Sequence, residues 1–474
     1  MKLKKLVKDL DVEVKGSKEV EVTGISSHSQ FITPGSLFIA KKGKTFDGTE
    51  FIPKAIETGA VAVLTDFYNP FLQGIVQIIT PNINQFEALL AKRYYETEKH
   101  SLYLIGITGT NGKTTTAYLI HHLLPYFGLM GTIETIIGKQ RFQAQLTTAD
   151  VVTNHKTLRE MKEQGLKGVV MEVTSHALDQ NRVGEIQFNL GIFTNLSQDH
   201  LDYHGTMDEY FKTKLKLFEN SKEKIYNIDD PRAKEFRGGI SFGIHSKATL
   251  QAKNIHFSLE GTTFDLFYNG RVIPIKTTLI GEYNVYNVLA ALAAALQKGE
   301  RLSILQKRLI TFPGVPGRLE RVESPKGIHI FVDFAHTPKA LSNVLETLHF
   351  LKTGRVITIF GCGGERDQDK RPKMGAAAEK YSDQLIITSD NPRSEEPEAI
   401  CKEIAMGLSK EALIEVDRRA AIERGIFMAK ENDIVLISGR GHEPFQKVKG
   451  RLLPFDDRAV AKCISHLTSE RHSG

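Results

Sequence analysis

The residues best placed to do chemistry lie in GITGTNGKTTT, 106–116, between an apolar run, YLIGIT, that reads as a strand and a helical pattern. A glycine-bearing loop that enters a helix turns successive backbone N–H groups toward an anion, and the helix dipole adds to that field. Gly109 and Gly112 let the backbone approach closely without Cβ clashes. Lys113 offers a point charge to β- and γ-phosphates, and Thr114 offers a hydroxyl to Mg²⁺. The match to G-x-x-x-x-G-K-[ST] is incomplete, because position 107 is isoleucine, and Gly106 and Gly109 supply the flexibility instead. A guanine switch is excluded in its usual form, since no Asn-Lys pair occurs in the chain.

Other candidates are weaker alone. Glu172 ends the apolar strand GVVMEV, where a carboxylate can meet Mg²⁺ or cap nearby N–H groups. TNLSQDHLDYHG, 194–205, gathers Asn195, Asp199, His200, Asp202 and His204 in one loop. Lys214 sits in EYFKTKLKLF beside Lys212 and Lys216 and by itself reads as a solvated helix lysine. Asn284, in GEYNVYN, has the donor and acceptor that adenine's edge needs, with the N-cap of the following helix as the competing reading. DNPR, 390–393, favours a turn. GCGG at 361–364 is only part of a dinucleotide fingerprint, because Arg366 stands where its last glycine belongs.

These residues need a scaffold of alternating strands and helices. The chain has 474 residues, enough for about three domains. Composition shifts and breakers place them at 1–97, 98–318 and 319–474, the second boundary falling at the Pro- and Gly-flanked FPGVPGRLE. The fold class expected is α/β throughout: a small α/β domain, a central P-loop domain on a mostly parallel sheet, and a C-terminal Rossmann-like open sheet. NIHFSLEGTTFDLFYNGRVIPIKTTLIG alternates like a hairpin and predicts an antiparallel appendage around Asn269–Gly270. Net charge is +6, with acids interspersed among the bases, which argues against nucleic acid. No run approaches the ~18 apolar residues of a membrane span, and the first residues lack the apolar core of a secretory signal. Three cysteines without paired spacing predict reduced thiols and a cytoplasmic setting.

TGTNGKTT, MEVTSHALDQNRV, TNLSQDHLDYHG, LIGEYNVYNVLAA, PGRLE, VDFAHTP, FGCGGERD, TSDNPRSEEP, SGRGHE and FDDR follow one another over 106–458. That ordered set resembles the Mur ligase family, and SLFIA, FDG and FIPKAIETGA are similar to its UDP-binding N-terminal domain. The resemblance implies an ADP-forming amide ligase of cytoplasmic peptidoglycan synthesis that acts as a monomer on small molecules. Such an enzyme would add meso-2,6-diaminopimelate to UDP-MurNAc-L-Ala-D-Glu through an acyl phosphate. The same reaction with L-lysine, or a folylpolyglutamate-type ligase, stays as the alternative.

The resemblance also implies residue roles. ATP would meet Gly109, Thr110, Asn111, Gly112, Lys113, Thr114 and Thr115, with Asn284, Asn287, Arg318 and Asp333 at the nucleoside. Thr114, Glu172, His200 and Lys214, the last carbamylated by CO₂ to N6-carboxylysine, would hold Mg²⁺ at two sites; Lys113, Glu172, His200 and Lys214 would be catalytic. The sugar-nucleotide peptide would touch Ser29, Thr147, Thr148, Thr174, Gln180 and Arg182. His28 and Gln30 depart from the Asp-Ser-Arg common in relatives, as Tyr283 departs from their histidine. Diaminopimelate would meet Arg366, Asp390, Asn391, Pro392, Arg393, Gly439 and Glu443. Its far carboxylate, which lysine lacks, suits the Arg393 fork.

Overall fold

Apolar runs bounded by turn residues become strands buried on both faces. SLFI forms Ser36–Ile39 and AVLT forms Ala62–Thr65, each buried at every position. Burial of that kind belongs to parallel sheets covered by helices. In the computed structural model the described residues are 1–43, 47–99, 101–325 and 327–470, with side chains described through 466. Phe46 of the FDG motif and His100, near the expected first boundary, lie outside them. The chain divides into two units, Met1–Gln251 with Tyr286–Arg301, and Ala252–Val285 with Leu302–Gly474.

The first unit carries a five-stranded N-terminal sheet ordered Glu13–Lys15, Val76–Ile79, Ala62–Thr65, Ser36–Ile39, Gly24–Ser26. Only the first pair is antiparallel. Helix Ile52–Glu57 stops as ETGA predicts, with Gly59 at φ 103.

The same unit carries most of the central sheet. Its order is Ile240–Gly243, Ser221–Asn227, Phe188–Phe193, Tyr103–Thr108, Gly168–Glu172, Phe127–Met130, Glu134–Ile137, Gln140–Gln143. The first six strands are parallel, in line with the strand–helix alternation. The last two add an antiparallel hairpin turning at Gly138, where φ is 61. Tyr103–Thr108 lies between Phe188–Phe193 and Gly168–Glu172. The loops that follow these neighbours therefore flank the phosphate loop at the carboxyl edge of the sheet.

In the second unit, Gly261–Tyr268 and Arg271–Thr277 pair antiparallel through Asn269 (φ 49) and Gly270 (φ 72), the hairpin that the alternation predicts. A six-stranded sheet follows, ordered Glu320–Val322, His329–Asp333, Ile434–Ser438, Val356–Phe360, Gln384–Ile387, Leu413–Ile414. The first pair is antiparallel and the others are parallel. Alternate strand residues face two cores. Ile330, Val332, Ile357, Ile359, Val435 and Ile437 pack with Ile422 and Ile426. Phe331, Val356, Phe360, Ile434 and Leu436 pack with Leu341, Leu345 and Met374. Helices on both faces leave the carboxyl ends of the strands open, where ligands of open α/β sheets bind. Asp333, Gly361–Gly364, Asp390–Arg393 and Gly439–Glu443 lie at or just past those ends. Among the described residues no helix is long and apolar enough to cross a membrane.

Candidate active site

Strand Tyr103–Thr108 passes through Gly109–Gly112 into helix Lys113–Leu123. Gly109 has φ 146 and Gly112 φ 85. A Cβ on Gly109 would collide with the Thr194 hydroxyl, and one on Gly112 with the Asn287 amide oxygen, so both glycines are required by space as well as by conformation. The loop is braced by the chain after strand Phe188–Phe193. Thr110 N–H donates to the Asn195 carbonyl at 2.9 Å, and Asn111 N–H donates to Asn195 Oδ1 at 3.0 Å. Lys113 Nζ donates to the Gly109 and Thr110 carbonyls, at 2.9 and 2.8 Å, so its ammonium rests on the loop it would serve. Thr115 is buried in the first helical turn. Asn287 accepts from the Thr116 hydroxyl at 3.3 Å.

Glu172, fully buried, meets Thr114 behind this loop. Its carboxylate accepts from the Thr114 hydroxyl at 2.9 Å, the Thr132 N–H at 2.8 Å and the Thr132 hydroxyl at 3.0 Å. Thr132 is not among the sequence candidates. It follows strand Phe127–Met130, which pairs beside Gly168–Glu172, and only that pairing gives it a role. Thr114 and Glu172 are hard oxygen donors of the kind Mg²⁺ takes, together with phosphate and water. Among the described residues no three His, Cys, Asp or Glu side chains cluster to hold a metal on their own. Thr132→Val should cost about 1.5–3 kcal/mol of stability, the range for a hydrogen bond to a charged group. Urea unfolding measures it, and an unchanged midpoint would remove Thr132 from the site.

Lys214 is not the solvated lysine that its neighbours suggest. It is 1% exposed, whereas the side chains of Lys212 and Lys216 are 68% and 47% exposed. Its Nζ donates to the Gly109 carbonyl at 3.0 Å and lies 4.4 Å from the centre of the Tyr210 ring. Burial, and then the nearby Lys113 charge, pull its pKa well below the ordinary lysine value. His200 is half exposed, has φ 52, and contacts the His176 ring at 4.8 Å between centres. The structure does not bring it into hydrogen-bonding contact with Thr114 or Glu172, which bond to each other and to Thr132.

Beside Glu172, Thr148 donates to the Glu172 carbonyl at 2.9 Å, and Thr147 accepts from Thr132 at 3.2 Å. Thr174 lies 3.4 Å from the Thr148 hydroxyl and caps helix Ser175–Asp179. Arg182 donates to Gln180 Oε1 at 3.0 and 2.6 Å and to the Thr148 carbonyl at 3.0 Å. These five candidates therefore form one patch. Ser29 stands apart in the turn Ser29–Phe31.

In the second unit Asn284 is not an N-cap. Its helix, Glu282–Gln297, has already begun, and its amide donates to the Ile280 carbonyl at 2.9 Å. Asp333 accepts backbone N–H groups from Leu319 at 2.6 Å and Ala335 at 2.7 Å. Burial raises its pKa against the opposing charge of Arg318, whose guanidinium lies over the Phe334 ring at 4.8 Å. Asn391 donates to Glu443 Oε2 at 2.7 Å, and its own Oδ1 accepts from the Lys447 N–H at 2.8 Å. Burial raises the Glu443 pKa. Pro392 is buried beside Asn391, and a Cβ on Gly439 would come within 2.5 Å of Asp390 Oδ2. Arg393 is half-buried at φ 55, and its guanidinium donates to the Gly364 carbonyl. Arg366 is exposed next to Gly363.

Three family profiles match the chain: the Mur ligase family, catalytic domain at 21–95; the Mur ligase middle domain at 107–295; and the Mur ligase, glutamate ligase domain at 317–441. The UDP-N-acetylmuramoyl-L-alanyl-D-glutamate–2,6-diaminopimelate ligase of Syntrophomonas wolfei is 43% identical, over 97% of this chain and 98% of its own. The protein of that name from Aquifex aeolicus is 44% identical, over 94% and 93%. A solved structure of a ligase with the same name aligns with a TM-score of 0.73 at 29% identity, covering 99% of both chains.

Proposed function

The chain belongs to the Mur ligase family, and from that premise we propose that it joins meso-2,6-diaminopimelate to UDP-MurNAc-L-Ala-D-Glu with conversion of ATP to ADP and phosphate. Relatives of that name span nearly the whole chain at more than 40% identity. The observation that carries the choice of amino acid is Arg393, beside Gly364 at the open end of the second unit's sheet.

The terminal carboxylate of the glutamyl acceptor attacks the γ-phosphorus of ATP, and ADP leaves. The amine then attacks the resulting acyl phosphate, loses a proton and expels phosphate. The loop N–H groups and Lys113 hold the transferring phosphate, which needs positioning and charge more than covalent help. Thr114 and Glu172 would hold Mg²⁺, with His200 at a second ion; when bound, Mg²⁺ neutralises charge building on the phosphate oxygens. Arg182, Gln180 and the threonines at 147, 148 and 174 receive the acceptor, while Arg393, Asp390, Asn391 and Glu443 receive the amino acid.

A neutral amine is the form that adds CO₂, and the burial of Lys214 supports its carbamylation. Lys214→Ala should lower kcat about 10²–10³-fold, as loss of an electrostatic group does. Added formate or acetate should restore part of it; absence of rescue would contradict the carbamate.

The reaction is tested with an acceptor labelled with heavy oxygen in its terminal carboxylate. Label should pass into the released phosphate, and phosphate release should require acceptor and amino acid together. Unlabelled phosphate would overturn the acyl phosphate.

A further inference from the structure

Arg440, between Gly439 and Gly441 in SGRGHE, is fully buried. A buried guanidinium normally engages most of its donors. Here Nη2 donates to the Phe455 carbonyl at 3.0 Å and to the Glu443 carbonyl at 3.5 Å. Nε and Nη1 have no hydrogen-bond partner among the described residues, and Asp457 stands 3.8 Å from Nη1. That aspartate is already engaged by Arg418, with two contacts of 2.8 Å. Arg418 in turn donates to the Ser389 and Ser438 carbonyls, at 3.1 Å each, just before Asp390 and Gly439.

Arg418 and Arg440 thus meet at Asp457, and the chain beside Arg440 packs against Asp390, a Cβ on Gly439 coming within 2.5 Å of its Oδ2; Asp390 and Glu443 lie within electrostatic reach of both guanidinium groups. We propose that Arg440 is a positioning residue of the amino-acid pocket, a buried cation whose charge lets Asp390 and Glu443 face one ammonium group together. This rests on the function proposed above. Without Arg440 the two acids repel each other, and burial favours a proton on Glu443. The other charged group facing Glu443 is Lys447, on the hairpin strand Phe445–Val448, and His336 faces Asp390 from the loop after His329–Asp333.

The test compares Arg440→Met and Arg440→Lys with the wild type. Arg440→Met should raise KM for diaminopimelate at least tenfold near pH 7, leave KM for ATP within twofold, and lose most of that defect by pH 9. The sign follows from Glu443: without the cation its proton leaves only at higher pH, and the ammonium binds the ionised acid. Arg440→Lys should stay within threefold of wild type. A defect in Arg440→Met that is equal at all pH values, or one shared by Arg440→Lys, would overturn the proposal. If Arg440→Met does not fold, Arg440→Lys decides: a KM for diaminopimelate within threefold supports the proposal, and a larger rise rejects it. A wild type that does not use diaminopimelate would instead reject the function on which the proposal rests.

Discussion

Lys113→Ala is expected to lower kcat on the order of 10³-fold, the loss seen when a preorganised charge on a developing anion is removed. In the structure the Lys113 ammonium rests on the Gly109 and Thr110 carbonyls, and Lys214 donates to the same Gly109 carbonyl. Two amines thus share one oxygen. A triphosphate gives Lys113 a stronger partner than a neutral carbonyl, because hydrogen bonds between ionised groups are the stronger ones. The loop glycines and the Thr114–Glu172 contact do not depend on that side chain, so folding should persist. Steady-state phosphate release together with circular dichroism checks both halves. Turnover within tenfold of wild type would remove Lys113 from phosphoryl transfer.

Arg393→Ala is expected to raise KM for diaminopimelate about 30- to 5,000-fold, since truncating one partner of a desolvated charge pair costs about 2–5 kcal/mol. KM for ATP should change little. Discrimination against lysine should fall as well, because the guanidinium both attracts a far carboxylate and repels a far ammonium. The residue holds a left-handed backbone, and its N–H donates to the Lys447 carbonyl at 3.0 Å. Arg393→Lys keeps the charge but loses the fork, and should recover only part of the affinity. Equal losses for ATP and diaminopimelate would show that the variant damages the fold rather than the pocket.

The phosphate loop is legible in the sequence because its chemistry is local: strand, glycine turn and helix are contiguous in the chain. The burial of Lys214 is also written there, in helical spacing. It stands four residues after Tyr210 and three before Leu217, on the stripe that helix Met207–Glu219 buries. The flanking lysines hide that signal. Thr132 carries none, since its contact with Glu172 depends on which strands are neighbours in the sheet. The hairpin Glu134–Gln143 escapes sequence reading because its strands are only four residues long. For Asn284 the competing N-cap reading, which the sequence allows, fails because the helix starts at Glu282.

The most direct test of the central claim is a competition. The enzyme receives ATP, Mg²⁺, UDP-MurNAc-L-Ala-D-Glu and equal concentrations of meso-diaminopimelate and L-lysine, and mass spectrometry reads the products. The account predicts that the diaminopimelate adduct dominates at least ~100-fold, as expected where a site built for a polar group meets an analogue lacking it. A lysine adduct in equal or greater amount would contradict it.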